Sequence, residues 1–231
     1  MIVDDLNSIF IHIPKTAGNF LTKEIFLRYS QDYMLVKPGQ DGEDRFEIRG
    51  QITKSKHMTL KEYAEYTDIS KYYIIASIRD PLERLISLYF TPIRWIKPNR
   101  RARILIYLEK ILGVQLKVGD NNFEKKKAYF DTTKFKKMIE KTKSQKNYLE
   151  GIENQYSNLF VIRQEKLQDD IIEIFKFFGI NTDTNFNVKV NTSEKHVDET
   201  ELILAKDLVR ETEHAEDWNF IRTITENAIN T

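Results

Sequence analysis

The 231-residue chain contains no cysteine, which excludes a disulfide framework and any thiolate metal site. No stretch approaches the ~20 consecutive apolar residues of a membrane-spanning helix. The N-terminus lacks the basic-then-apolar pattern of a secretory signal. There are only four histidines, at positions 12, 57, 196 and 214, and no two have the spacing of a ligand pair, so no metal is expected. Internal repeats and low-complexity linkers are also missing. What remains, 41% hydrophobic and 31% charged, is the composition of a soluble globular protein. The length suits one domain over residues 1–231 with a sizeable core.

The net charge of +1 conceals a strong asymmetry. Residues 1–93 carry 12 Lys/Arg against 13 Asp/Glu, residues 94–146 carry 16 against 5, and residues 147–231 carry 8 against 17. The middle, 94–146, therefore reads as a basic, mostly helical, insertion-like segment. It could contact nucleic-acid phosphates, capture an acidic acceptor, or serve as a solvated face that partly neutralises the acidic last third.

The chain is organised around Phe10-Ile11-His12-Ile13-Pro14-Lys15-Thr16-Ala17-Gly18-Asn19-Phe20-Leu21. Ser8 to Ile13 reads as a buried strand, Pro14 stops it, and Gly18 supplies a turn into a helix through Tyr29. A strand, a tight turn and a helix N-terminus present free backbone N–H groups suited to an anion. Lys15 adds a mobile cation and Thr16 a hydroxyl. This is not the Walker A loop, because the lysine precedes the only glycine. Further on, short strands are expected at 33–36 and 45–48, and Thr59 with Glu62 forms a capping box for a helix to Tyr66. Lys71–Ile78 is a second core strand. Asp80 as N-cap and Pro81 as first helical residue start a helix to Phe90. Helices at 99–112 and 134–143, a loop at 113–122, a third core strand at 158–163 and a helix at 164–179 follow. A strand at 186–190 and two acidic helices at 198–214 and 216–228 complete the chain. Strands separated by helices predict an α/β fold of three layers, P-loop-like, with a central parallel sheet flanked by helices.

The segment His12-Ile13-Pro14-Lys15-Thr16-Ala17-Gly18 followed by a helix resembles the 5′-phosphosulfate loop of sulfotransferases that use 3′-phosphoadenosine-5′-phosphosulfate (PAPS). Those of the heparan 2-O/6-O type and their bacterial relatives are the most similar. Their 3′-phosphate motif, R-[DN]-P-x-x-R-x-x-S-x-Y, is matched by Arg79-Asp80-Pro81-Leu82-Glu83-Arg84-Leu85-Ile86-Ser87-Leu88-Tyr89. The resemblance covers residues 8–90 closely and 158–220 loosely, and the middle has no counterpart. Golgi members carry a membrane anchor before the first strand. Here that strand begins about eight residues in, and a cytoplasmic, microbial protein is expected.

The resemblance implies transfer of a sulfuryl group from PAPS to a hydroxyl, a displacement driven by positioning and by charge stabilisation. Lys15 then meets the charge developing on the leaving group. The backbone of Thr16, Ala17, Gly18, Asn19 and Phe20 holds the phosphosulfate, and Arg79 and Ser87 hold the 3′-phosphate. Asn19 stands where the family has a hydroxyl residue, although an amide can also donate to phosphate. Arg84 is either a second phosphate contact or a helix-surface charge, and Asp80 is assigned to capping. A general base is required, and His57, in the region where 2-O type relatives carry a catalytic histidine, is the first candidate. Glu24, Glu43 and Asp44 are its carboxylate rivals. His12 is expected in the core, and His196 and His214 at the surface. Arg94-Trp95-Ile96-Lys97-Pro98-Asn99-Arg100-Arg101-Ala102-Arg103, with four arginines, a lysine and an indole, favours an anionic glycan as acceptor rather than nucleic acid. A P-loop-like kinase would need the Walker lysine and a magnesium-binding acid, neither of which is visible. A non-catalytic polyanion-binding protein would leave the paired motifs unexplained.

Overall fold

The apolar run at the start of the chain becomes a strand buried at every residue, Ser8–Ile11. Burial on both faces is what removes the usual polar alternation. The computed structural model describes residues 1–30, 33–35, 45–48, 50–91, 96–98, 104, 123–125, 129–181 and 197–229. In chain order the first elements are β1 (Ile2–Val3), β2 (Ser8–Ile11) and a helical segment, α1. The latter opens as Gly18–Phe20, widens to a π turn at Leu21–Ile25 and tightens to a 3₁₀ turn at Phe26–Tyr29. Next come β3 (Tyr33–Leu35), β4 (Arg45–Ile48), β5 (Gln51–Ile52), α2 (Leu60–Tyr63), β6 (Tyr73–Ile78) and α3 (Pro81–Tyr89). They are followed by β7 (Ile96–Pro98), β8 (Phe123–Lys125), α4 (Thr132–Ile139), α5 (Gln145–Tyr148) and β9 (Leu159–Arg163). The last helices are α6 (Leu167–Phe177), α7 (Glu199–Arg210) and α8 (Ala215–Asn227).

The central sheet has the order β1-β2-β6-β9. β2 and β6 pair in parallel from Ser8↔Tyr73 to Ile11↔Ala76, and β6 and β9 from Ile74↔Leu159 to Ile78↔Arg163. The short β1, not foreseen from the sequence, runs antiparallel to β2 and makes the sheet mixed rather than wholly parallel. With helices packed around this mostly parallel sheet, the fold is a three-layer α/β architecture. Parallel strands bring their C-terminal ends to one edge, where such folds bind ligands. The turn after β2 and the Arg79-Asp80 corner after β6 therefore come out side by side.

Two apolar clusters hold the layers. The larger joins the sheet to α1, α2, α6 and the end of α8, with Phe10, Phe26, Ile75, Phe160, Phe175 and Ile224 among its members. The smaller joins α3, α4 and α7 through Leu85, Ile86, Phe135, Ile139, Ala205 and Val209. The lysine-rich helix is thus amphipathic: Phe135, Met138 and Ile139 face inward while Lys134, Lys136 and Lys137 are exposed.

Local signals account for most boundaries. Thr59 and Glu62 form the expected reciprocal capping box, although the helix ends at Tyr63 instead of Tyr66. Asp80 accepts a hydrogen bond from the Glu83 N–H at 2.9 Å with Pro81 next to it. Gly179, at φ +70°, ends α6, with Ile180 N–H donating to the Phe175 carbonyl at 2.8 Å, the Schellman geometry. α4 stops at Ile139, short of the expected 143, and the following turn leads into α5, which the sequence pattern did not suggest. The expected elements at 113–122 and 186–190, and that at 99–112 apart from the helical, exposed Ile104, lie outside the described residues. Among the described residues no helix is long and apolar enough to cross a membrane.

Candidate active site

The turn after β2 places two non-glycine residues in the left-handed region, Lys15 at φ +70° and Ala17 at φ +67°. Each costs roughly 1–2 kcal/mol, so the surrounding bonds must hold the turn in place. Thr16, fully buried between them, does so. Its hydroxyl donates to the Ile13 carbonyl at 2.9 Å and shares a 2.6 Å hydrogen bond with the Ser77 hydroxyl on β6. Thr16 therefore spends its hydroxyl on the fold and keeps only its backbone N–H for a ligand. Alternation of left- and right-handed residues turns successive N–H groups into a concave anion nest. Gly18 is sterically required: a Cβ there would lie 2.1 Å from Cδ2 and 2.3 Å from Nε2 of His12, whose ring packs on the glycine.

His12 is buried, as the sequence suggested. Burial, followed by the neighbouring charges of His57, Lys56 and Lys15, holds its pKa well below the ordinary histidine value. His57 lies edge-on to it with ring centroids 4.5 Å apart. The His57 Nδ1–H donates to the His12 carbonyl at 2.9 Å, so in the neutral ring Nε2 is the unprotonated nitrogen. The structure thus brings His57 to within three residues of Lys15 along the loop. Lys56, beside it, is fully buried, and its ammonium donates to Asn19 Oδ1 at 3.0 Å. Asn19 is thereby an acceptor for lysine. Glu24 instead faces solvent, 3.9 Å from Arg28, while Glu43, Asp44 and His196 lie outside the described residues.

The second motif converges on the same loop. Arg79, largely buried, reaches the Lys15 carbonyl with Nη1 at 3.4 Å and pairs with Glu83 through Nη2 at 3.1 Å. Its Nε is buried without an acceptor. Ser87 is half-buried one helical turn beyond Glu83, on the same face of α3. Arg84 is not a helix-surface charge, one of the two readings expected of it. It is fully buried and structural: Nε donates to the Pro14 carbonyl at 3.1 Å and Nη2 to the Lys143 carbonyl at 3.0 Å. Burial lowers its pKa from the ordinary arginine value, and the nearby Asp217 charge acts in the opposite sense.

Asp80 carries a further bond, accepting from the Trp218 indole N–H at 2.9 Å. His214 departs from expectation: it is fully buried, with Nε2 3.2 Å from the Ile139 carbonyl and Nδ1 3.7 Å from Asp217. Position alone in an acidic stretch suggested the surface. The cap of α8 turns its ring toward the end of α4 instead.

A family model described as the Sulfotransferase family matches residues 1–225. The chain belongs to the sulfotransferase family. Comparison with curated proteins and with solved structures returned no match. In this sulfotransferase the loop after β2 and the β6–α3 corner lie against each other, and Lys56, Arg79 and Arg84 each bond a residue of the loop that carries Lys15. Sequence reasoning missed Lys56, Gln145 and Asp217. Lys56 neighbours His57 in Lys54-Ser55-Lys56-His57, which is the one signal that could have found it. Gln145 and Asp217 looked like ordinary residues of a basic and an acidic helix.

Because His12 stays neutral when folded while the unfolded chain takes up its proton, its burial stabilises the protein fully above about pH 6.5. That stability falls as pH drops below this value, by up to about 1.4 kcal/mol per pH unit from this group. Denaturant midpoints measured from pH 7.5 to 5 should show the fall, with nitrogen NMR reporting a neutral His12 ring at pH 5.5. A ring that titrates at the ordinary value would contradict the assignment.

Proposed function

We propose that this sulfotransferase uses PAPS as donor and a carbohydrate hydroxyl as acceptor, in the manner of the heparan 2-O/6-O type enzymes and their bacterial relatives. The observation that carries the reading is the convergence of three anchored cations on one loop, with Lys56 on Asn19, Arg79 on Lys15 and Arg84 on Pro14. A loop ringed by cationic side chains favours an anionic ligand, and a doubly phosphorylated nucleotide is such an anion. The backbone N–H groups of Thr16, Ala17, Gly18, Asn19 and Phe20 hold the phosphosulfate. Arg79 and Ser87 take the 3′-phosphate, which displaces the Glu83 carboxylate from the guanidinium.

Reaction proceeds by attack of the acceptor oxygen on sulfur. As the new S–O bond forms, the bond from sulfur to the 5′-phosphate oxygen breaks, and Lys15 stabilises the charge left on that oxygen. His57 Nε2 receives the acceptor proton, and the Nδ1 bond to the His12 carbonyl fixes the tautomer that makes this possible. The acceptor is read as an anionic glycan. Support comes from the charge of residues 94–146 and from the exposed Lys136, Lys137, Lys141 and Lys143 at their end. Part of that charge has another use, since Lys146 pairs with Glu216. Residues 94–103, apart from the backbone of 96–98, lie outside the described residues.

Four outcomes test this function. By calorimetry 3′-phosphoadenosine-5′-phosphate should bind about 10- to 150-fold more tightly than 5′-AMP, the worth of a charge-assisted contact to the extra phosphate. Equal affinities would remove the assignment of Arg79 and Ser87.

Lys15→Ala should lower turnover by orders of magnitude while weakening product binding far less. His57→Ala should abolish turnover and leave nucleotide affinity intact. Retained activity in the histidine variant would move the base to a carboxylate.

Neutralising Arg100, Arg101 and Arg103 together should raise the acceptor KM and flatten its dependence on salt. If both stay unchanged, the basic segment is a solvated face and the acceptor is not recognised by its charge.

A further inference from the structure

β6 ends at Ile78, whose partner on β9 is Arg163. Arg79 follows, past the last rung of the ladder, where its own N–H and carbonyl have no strand to bond. One side chain supplies both partners. The Arg79 N–H donates to Gln145 Oε1 at 3.0 Å, and Gln145 Nε2 donates to the Arg79 carbonyl at 2.7 Å. The amide of Gln145 thus extends the sheet by one rung.

Gln145 is itself fully buried and held from behind. Its N–H donates to Asp217 Oδ2 at 2.8 Å, and the Lys146 N–H donates to Asp217 Oδ1 at 2.9 Å. Asp217, on α8, is fully buried as well. Two residues earlier, the Lys143 carbonyl accepts from Arg84. The turn 143–146 is therefore clamped between α3 and α8, and its one side chain aimed at the site grips the backbone of Arg79. With that backbone fixed, the guanidinium sits between the Lys15 carbonyl and Glu83.

We propose that Gln145 is the positioning residue for Arg79, giving the end of the basic segment a part in nucleotide recognition. This rests on the reading of Arg79 as the 3′-phosphate ligand. Gln145 touches no substrate atom. It acts by holding the Arg79 backbone where the side chain meets the phosphate, and placement errors of about 1 Å at such sites cost on the order of 100-fold.

The test compares Gln145→Met, which keeps the buried volume and removes both bonds, with the wild-type protein. The quantity read is the ratio of affinities for 3′-phosphoadenosine-5′-phosphate and 5′-AMP. Loss of folded protein lowers both apparent affinities together and cancels in the ratio, so a merely structural role does not move it. The expected result is a fall of about 10-fold or more in the ratio, with 5′-AMP affinity held within about 2-fold. Hydrogen exchange at the Arg79 amide, measured without nucleotide, should speed up in parallel. Gln145→Asn, which keeps the amide but shortens its reach, covers the case in which the methionine variant does not fold, and should shift the ratio the same way. An unchanged ratio, or equal weakening toward both nucleotides, overturns the role of Gln145. A wild-type protein that does not prefer the 3′-phosphorylated nucleotide overturns the reading of Arg79 itself.

Discussion

The structure depends on a small set of buried hydrogen bonds that tie the turn after β2 to the β6–α3 corner. The Thr16 hydroxyl is hydrogen-bonded to that of Ser77, Arg84 reaches the Pro14 carbonyl, and Arg79 reaches the Lys15 carbonyl. A turn with two left-handed non-glycine residues would relax if left to itself. These bonds prevent it and fix the turn against the next parallel strand. Thr16, Ser77 and Arg84 are buried, so breaking one of their bonds leaves a polar group unsatisfied, which costs more than the net worth of a single hydrogen bond. The anion nest is in this sense held by the sheet.

The same bonds concentrate positive charge. Lys56 and Arg84 are fully buried, and amide and carbonyl oxygens accept hydrogen bonds from both. Asp217 acts against the Arg84 charge and Glu83 pairs with Arg79, so the positive charge beside the loop is partly offset within the protein. His12 is kept neutral first by its burial and then by the charges around it, and its ring packs on Gly18. Charge, strain and packing therefore constrain one another within a few residues.

Much of this was legible before any coordinates. The alternation of apolar runs and helices carried the α/β architecture, because burial on both faces leaves a recognisable pattern in β2, β6 and β9. Capping chemistry at Thr59 and Asp80 is local and was read correctly. Long-range pairings were not legible. Nothing in Gln145, Asp217 or His214 distinguishes them from solvated neighbours, since their burial follows from how α5 and α8 pack. The burial of Arg84 is hidden for a related reason: helical periodicity locates a face but not what that face meets, and here it meets the Pro14 carbonyl. Nor does the sequence show that Ser77 lies opposite the Thr16 hydroxyl. The basic segment is partly explained: its last helix buries Phe135 and Ile139 while its lysines stay in water.

The central claim is that the two loops form one site for one nucleotide. Amide NMR during titration with 3′-phosphoadenosine-5′-phosphate addresses it most directly. The account predicts that resonances of Lys15 to Phe20 and those of Arg79 and Ser87 shift together, along a single saturation curve with one dissociation constant. Shifts confined to one loop, or two loops saturating at different concentrations, would contradict it.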